Sequence, residues 1–233
     1  MKSIKKLVAI VAMTTVLAMS VMGCGQKLAP ADQTIGALFE LSAKNNAAPM
    51  KELLGFDSEQ EVRTAFFEEG EDMSMAEMIE ESLSDAGMEI SDEDMADFTN
   101  TMTNMINKIS YTAEITSESS DSVEVTLHVK GFKMDDMIDV MMDAATTMQD
   151  SMTEEDILAI QGGDMDVYNS YIEQYLKDFI SGLGGLSVNP DPVDIVVVCE
   201  KLAVETESGN KVAWLPADMD DFSYDVQDAI MQD

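Results

Sequence analysis

The stretch Ser110–Lys130, SYTAEITSESSDSVEVTLHVK, is where the period of the chain changes. In Ser110–Glu118, Tyr111, Ala113 and Ile115 alternate with Thr112, Glu114 and Thr116. In Asp121–Lys130, Val123, Val125, Leu127 and Val129 alternate with Glu124, Thr126, His128 and Lys130. Successive side chains of a strand point to opposite faces, so each run has one apolar and one wet face. Ser119-Ser120-Asp121 joins them, and the pattern predicts an antiparallel hairpin. A second hairpin is predicted from Val193–Thr206 and Lys211–Leu215, across Glu207-Ser208-Gly209-Asn210.

On either side of the first hairpin the apolar residues recur at three and four, the helical spacing. Before it, helices are predicted over Thr34–Ala43, over Asp57–Glu69 with Ser58 as cap and Glu61 closing the capping box, and over Met73–Leu83 with Ser74 and Glu77 in those roles. The clearest helix is Ser91–Ile109, marked by Met95, Phe98, Met102, Met105, Ile106 and Ile109. After the hairpin, Met134, Met137, Ile138, Met141, Ala145 and Met148 line one helix. Thr153 caps a short one, and Asp164–Ile180 forms a third. Gly182, Gly184 and Gly185 with Pro190 and Pro192 read as a flexible link. The fold class is therefore α+β: amphipathic helices packed on a curved antiparallel sheet, with a helical insert between two hairpins.

The N-terminus has the marks of an export signal. Lys2, Lys5 and Lys6 precede an uncharged stretch from Leu7 to Met22, only 16 residues long and short of the roughly 20 that a membrane span needs. The stretch ends at Gly23-Cys24, and Val21-Met22-Gly23-Cys24 resembles a bacterial lipobox, with Met22 bulkier than usual. The resemblance implies cleavage between Gly23 and Cys24 and an acyl chain such as palmitate on Cys24. The expected organisation is a signal peptide over 1–23, a tether over 24–33, one α+β domain over 34–216 with a helical insert at 134–186, and an acidic tail over 217–233.

The chain has 46 acidic residues against 13 Lys and Arg, a net charge of −33. Loss of the three signal-peptide lysines takes this to about −36. Such a charge repels nucleic acid and anionic head groups and favours a cationic protein, peptide or divalent cation. The apolar fraction of 45% separates the chain from disordered acidic tails.

The later chain resembles small bacterial lipoproteins with a cone-shaped domain like nuclear transport factor 2, sometimes grouped with cystatin-like folds. The likeness rests on the lipobox followed by helices, the Tyr111–Lys130 hairpin followed by Gly131-Phe132, and the long Val193–Thr206 strand. Family members commonly end in a glycine turn, a basic residue and a tryptophan. Here those are Gly209, Lys211 and Trp214, with Val212-Ala213 inserted before the ring. The insert at 134–186 and the acidic tail depart from the family. Most such lipoproteins have no assigned activity, and the fold serves enzymes and binding modules alike.

Catalytic signals are weak. His128 is the single histidine, so no multi-histidine metal site exists within one chain, and its register puts it on the wet face. No nucleophile elbow accompanies it. Carboxylates are too numerous for any pair to be singled out. Asp135-Asp136 and Asp218-Met219-Asp220-Asp221 lack the shaped loop of a calcium site. With Cys24 acylated, Cys199 has no disulfide partner and reads as a small hydrophobe in a strand. Most of the 21 methionines stand where leucine would serve. No catalytic residue, metal or cofactor is assigned.

The expected role is a lipid-anchored extracytoplasmic binding or structural protein. Tyr168, Tyr171, Tyr175, Met137 and Met141 are its candidate contact residues, because half-wet tyrosine and adaptable methionine suit interfaces. One rival is a small hydrolase or isomerase with an acidic pocket. The other is a solute-binding lipoprotein.

Overall fold

The computed structural model describes residues 28–67, 91–206 and 209–232. The signal peptide, Cys24 and the helix expected over Met73–Leu83 lie outside the described residues. The fold is α+β, with eight helices and a four-stranded antiparallel sheet among the described residues. The helices are α1 (Ala31–Lys44), α2 (Ala48–Leu54), α3 (Glu59–Phe66), α4 (Asp92–Lys108), α5 (Met134–Ser151), α6 (Glu154–Gln161), α7 (Met165–Gly185) and α8 (Met219–Ile230). The strands are β1 (Ser110–Glu118), β2 (Ser122–Lys130), β3 (Phe132–Lys133), β4 (Val193–Val204), β5 (Lys211–Pro216) and β6 (Met231–Gln232). The described residues divide into two compact units.

The first unit comprises 28–67, 111–129 and 194–229. Its sheet has the order β1-β2-β4-β5, so the two hairpins lie side by side. The alternation holds for the apolar residues of β2 and β4, but Ile115, expected on the apolar face of β1, is exposed and Thr126, expected on the wet face of β2, is buried. Val123, Val125, Leu127 and Val129 of β2 and Ile195, Val197 and Cys199 of β4 are buried, while Val196 and Val198 are exposed. The closing hairpin pairs Glu200 with Leu215 and Val204 with Lys211, and Gly209 takes the positive φ of 112° that its turn requires.

Helix α1 packs on β5 and carries the most continuous buried surface of the unit: Ile35, Leu38, Phe39 and Leu41 are all sealed from water. It starts at Ala31 behind Pro30, so three residues of the expected tether are helical. Asn45 ends it in the left-handed conformation, and Arg63 of α3 clamps that end by donating to the Asn45 side chain and carbonyl at 3.1 and 3.0 Å. Ser58 caps α3 by accepting from the Glu61 amide at 3.0 Å. The Glu61 carboxylate reaches back one residue further than a standard capping box, to the Asp57 amide at 2.7 Å.

Within the expected acidic tail, residues 219–230 form α8, whose stripe Phe222, Val226 and Ala229 is buried, while Tyr224 is exposed. The spacing of four and three from Phe222 is the true apolar face, and the acids occupy the remainder.

The second unit comprises 91–110, 130–193 and 230–232. Ser91 caps α4, accepting from Asp94 N at 3.1 Å as its sequence position predicts. β3 pairs in parallel with β6. The glycine link is corrected: α7 continues through Gly182 and Gly184 to Gly185. Lys108 Nζ donates to the carbonyls of Gly184 and Leu186 at 3.0 and 2.8 Å, placing a cation at the carbonyl end of the helix.

Candidate binding surface

Helices α5 and α7 pack against each other in antiparallel register. Val140 stands opposite Gly182, and near the other end the Tyr171 hydroxyl approaches the Ser151 carbonyl at 3.4 Å. α6 joins them through the turn at Gly162-Gly163, where Gly163 takes a φ of +89°. Thr153 and Asp156 close a capping box at the start of α6. The Tyr171 hydroxyl donates to the same Asp156 carboxylate at 2.8 Å, tying α7 to α6. Hydrogen bonds from Thr153 and then Tyr171 hold the Asp156 carboxyl below the usual range, and the carboxylate in turn raises the Tyr171 phenol.

This unit leaves large apolar side chains in water. On α5, Ile138, Met141 and Met142 are exposed, with Met141 at 45%. Around the α6–α7 turn, Ile157, Leu158 at 67%, Met165 at 58% and Tyr168 are exposed. α6 has no buried residue at all. Acids flank these side chains in sequence, and the single base of 134–185, Lys177, is bound to Glu173 at 2.6 Å and Asp94 at 3.5 Å.

The five residues singled out from the sequence fall into different settings. Tyr168 and Met141 lie on the exposed surface. Met137 is half-buried. Tyr171 is half-buried with its hydroxyl engaged by Asp156, and half-buried Tyr175 stacks on Phe179 with ring centroids 6.2 Å apart. Sequence reasoning passed over Leu158, Ile157 and Met165. The signal was present in the length of α6, since eight residues carrying Ile157, Leu158 and Ile160 have too little partner surface to bury them all.

On the sheet of the first unit, His128 lies on the polar side of β2, half-buried between two carboxylates. Nδ1 is 2.5 Å from Asp194 Oδ1, and Nε2 is 3.4 Å from Glu114 Oε1. The Asp194 hydrogen bond is the main cause of a raised pKa, and Glu114 adds to it. Folding thus raises the proton affinity of His128 above its ordinary value of about 6.5. The stability this cluster contributes is complete below that value and is lost as pH climbs through the raised folded-state value. In a titration of the ring protons by NMR, we expect a midpoint above the free-histidine value and a downward move in Asp194→Asn. An unmoved midpoint in that variant would refute the pairing.

Cys199 is buried in β4, and burial pushes its thiol up to about 12. It therefore stays protonated and is no nucleophile near neutral pH. A cavity of about 430 Å³ lies beside Tyr111, lined by Asp32, Gly36, Glu52 and Leu53 among others. It is broadly open to solvent, and the Tyr111 hydroxyl at its wall donates to the Gly36 carbonyl at 2.9 Å. Burial, then the nearby Glu40 charge, raises the Tyr111 phenol. Among the described residues no cluster of three His, Cys, Asp or Glu has the geometry to hold a metal ion. None of their helices is long and apolar enough to cross a membrane.

No protein-family profile and no curated protein sequence matches the chain. Among solved structures it is similar to the 2.62 Å crystal structure of ycdA from Bacillus subtilis subsp. subtilis strain 168, described as a candidate lipoprotein. The TM-score is 0.51 at 15% identity over 87% of this chain, which spans 56% of the length of that one. At this identity the likeness speaks for the fold.

Proposed function

We propose that this protein is a lipid-anchored, extracytoplasmic binding protein without catalytic activity. The observation that carries the binding role is the set of apolar side chains left in water on α5, α6 and α7. Single exposed apolar side chains are common, but several gathered on adjoining helices mark an interaction surface. The anchoring rests on the Val21–Cys24 lipobox and draws support from the description of ycdA as a candidate lipoprotein. We read the first unit as the cone-shaped domain related to nuclear transport factor 2. Three helices ahead of an antiparallel sheet, with α1 packed on β5, support that reading. The hydrolase or isomerase alternative needs opposed carboxylates shielded from water, and the cavity beside Tyr111 is open.

The test is recovery of the protein from the membrane fraction of its host, followed by mass analysis of its N-terminal peptide. We expect a chain that begins at an acylated Cys24, and release of the Cys24→Ser variant from the membrane. A soluble chain that keeps Lys2 and a bare Cys24 thiol would sink the anchored reading.

A further inference from the structure

Ile157 and Leu158 of α6 and Met165 and Tyr168 of α7 are exposed within one helix–turn–helix, whose two arms pack on each other. Exposed carboxylates of Glu154, Glu155, Asp164 and Asp166 stand among them in sequence. Residues 134–185 contain twelve acids and one base, and Lys177 is already engaged. The charge decides what this surface takes. A second copy of the chain brings the same net −33 and is repelled. An anionic lipid surface is repelled likewise. A wholly apolar segment would strip water from the neighbouring carboxylates without replacing it. A segment with an apolar side and a lysine- or arginine-bearing side satisfies both kinds of group. Its aliphatic or aromatic side chains cover Leu158 and Met165, and its cations meet the carboxylates at the rim.

We propose that the α6–α7 end of the helical insert docks a cationic amphipathic peptide segment of another protein. This rests on the binding-protein reading and names the partner's chemistry. The thioether of Met165 tolerates varied apolar partners, so the site selects for charge and amphipathicity more than for one sequence.

The experiment uses the full chain with Cys24→Ser and two synthetic peptides of equal positive charge. One is a leucine–lysine peptide with one apolar helical face, and the other is oligolysine. We expect the leucine–lysine peptide to bind at least about tenfold more tightly, and more weakly as salt rises. Leu158→Ser combined with Met165→Ser should remove about tenfold of that affinity. Both positions are exposed, so the fold should tolerate the change. Val196→Ser combined with Val198→Ser, on the exposed side of β4, should leave the affinity unchanged. Equal affinity for the two peptides, undiminished binding to the Leu158/Met165 variant, or no binding at all overturns the proposal. Loss confined to the β4 variant overturns this site while leaving a binding role in place. The mass of the N-terminal peptide tests the anchor separately, so the two readings fail independently.

Discussion

Replacing Phe39 by alanine is expected to destabilise the first unit by about 3–5 kcal/mol, as deletion of a sealed aromatic ring does. Phe39 is fully buried in α1, its ring 4.6 Å from that of Tyr111 on β1 and tilted by 47°. The Tyr111 hydroxyl is tied to the Gly36 carbonyl, and a Cβ on Gly36 would stand 3.1 Å from that hydroxyl. The backbone of α1 is therefore pinned against β1 and cannot slide to fill the space left by the ring. An uncollapsed void retains the cavity cost on top of the lost burial. Since domain stability is commonly about 5–15 kcal/mol, the variant should lose roughly a fifth or more of it. Trp214, the single tryptophan, lies in β5, which packs on α1, so its fluorescence reports this unit during denaturant unfolding. A loss below about 1 kcal/mol would mean that the α1–β1 contact is not the keystone described here. Phe39→Leu, which keeps most of the volume, should lose much less.

The parts of this fold that were legible in the sequence are those set by local periodicity. The change at Ser110 from a period of 3.6 to 2 located the first hairpin, and the buried side of β2 is the one the alternation named. Ser91 and Ser58 act as caps because their hydroxyls meet the unpaired amides of a first helical turn, a relation contained within four residues. What was not legible is long-range. No local pattern tells that β2 lies beside β4, since 62 residues separate Lys130 from Val193. Two-residue strands such as β3 and β6 have no period to read. In α8 the acids masked the stripe, because Phe222 stands beside Asp220 and Asp221 and was counted with the tail. The candidate surface was half legible. Tyr168 and Met141 are exposed, but Leu158, the most exposed large apolar side chain of α6, was passed over because a leucine in a helix ordinarily packs, and only the shortness of α6 argues against it.

The glycines of α7 show most plainly how packing overrides propensity, and they give the second large effect. Gly182 reads as a helix breaker, costing about 1 kcal/mol relative to alanine inside a helix. The propensity scale alone therefore predicts that Gly182→Ala stabilises the protein. The geometry predicts the opposite. A Cβ at 182 would fall 2.5 Å from Val140 Cγ1, with Val140 Cβ and Cγ2 at 3.5 Å. Valine is stiff about χ1 in a helix, so the methyl cannot turn away. α5 and α7 must then separate or one helix must shift, and overpacking of this kind costs about 1–3 kcal/mol. We expect Gly182→Ala to destabilise the second unit by that amount, measured by helical circular dichroism during thermal unfolding. Gly184→Ala is the control on the same turn: its Cβ would meet Thr101 Cγ2 at 3.8 Å, an ordinary contact, so it should be neutral or gain up to about 1 kcal/mol. Val140→Ala removes both γ-methyls and should rescue Gly182→Ala, so that the double variant is more stable than the sum of the two single losses. If Gly182→Ala and Gly184→Ala behave alike, the glycine at 182 is there for flexibility. If only Gly182→Ala destabilises and Val140→Ala restores it, the glycine is what allows α5 to approach and the helical insert to close.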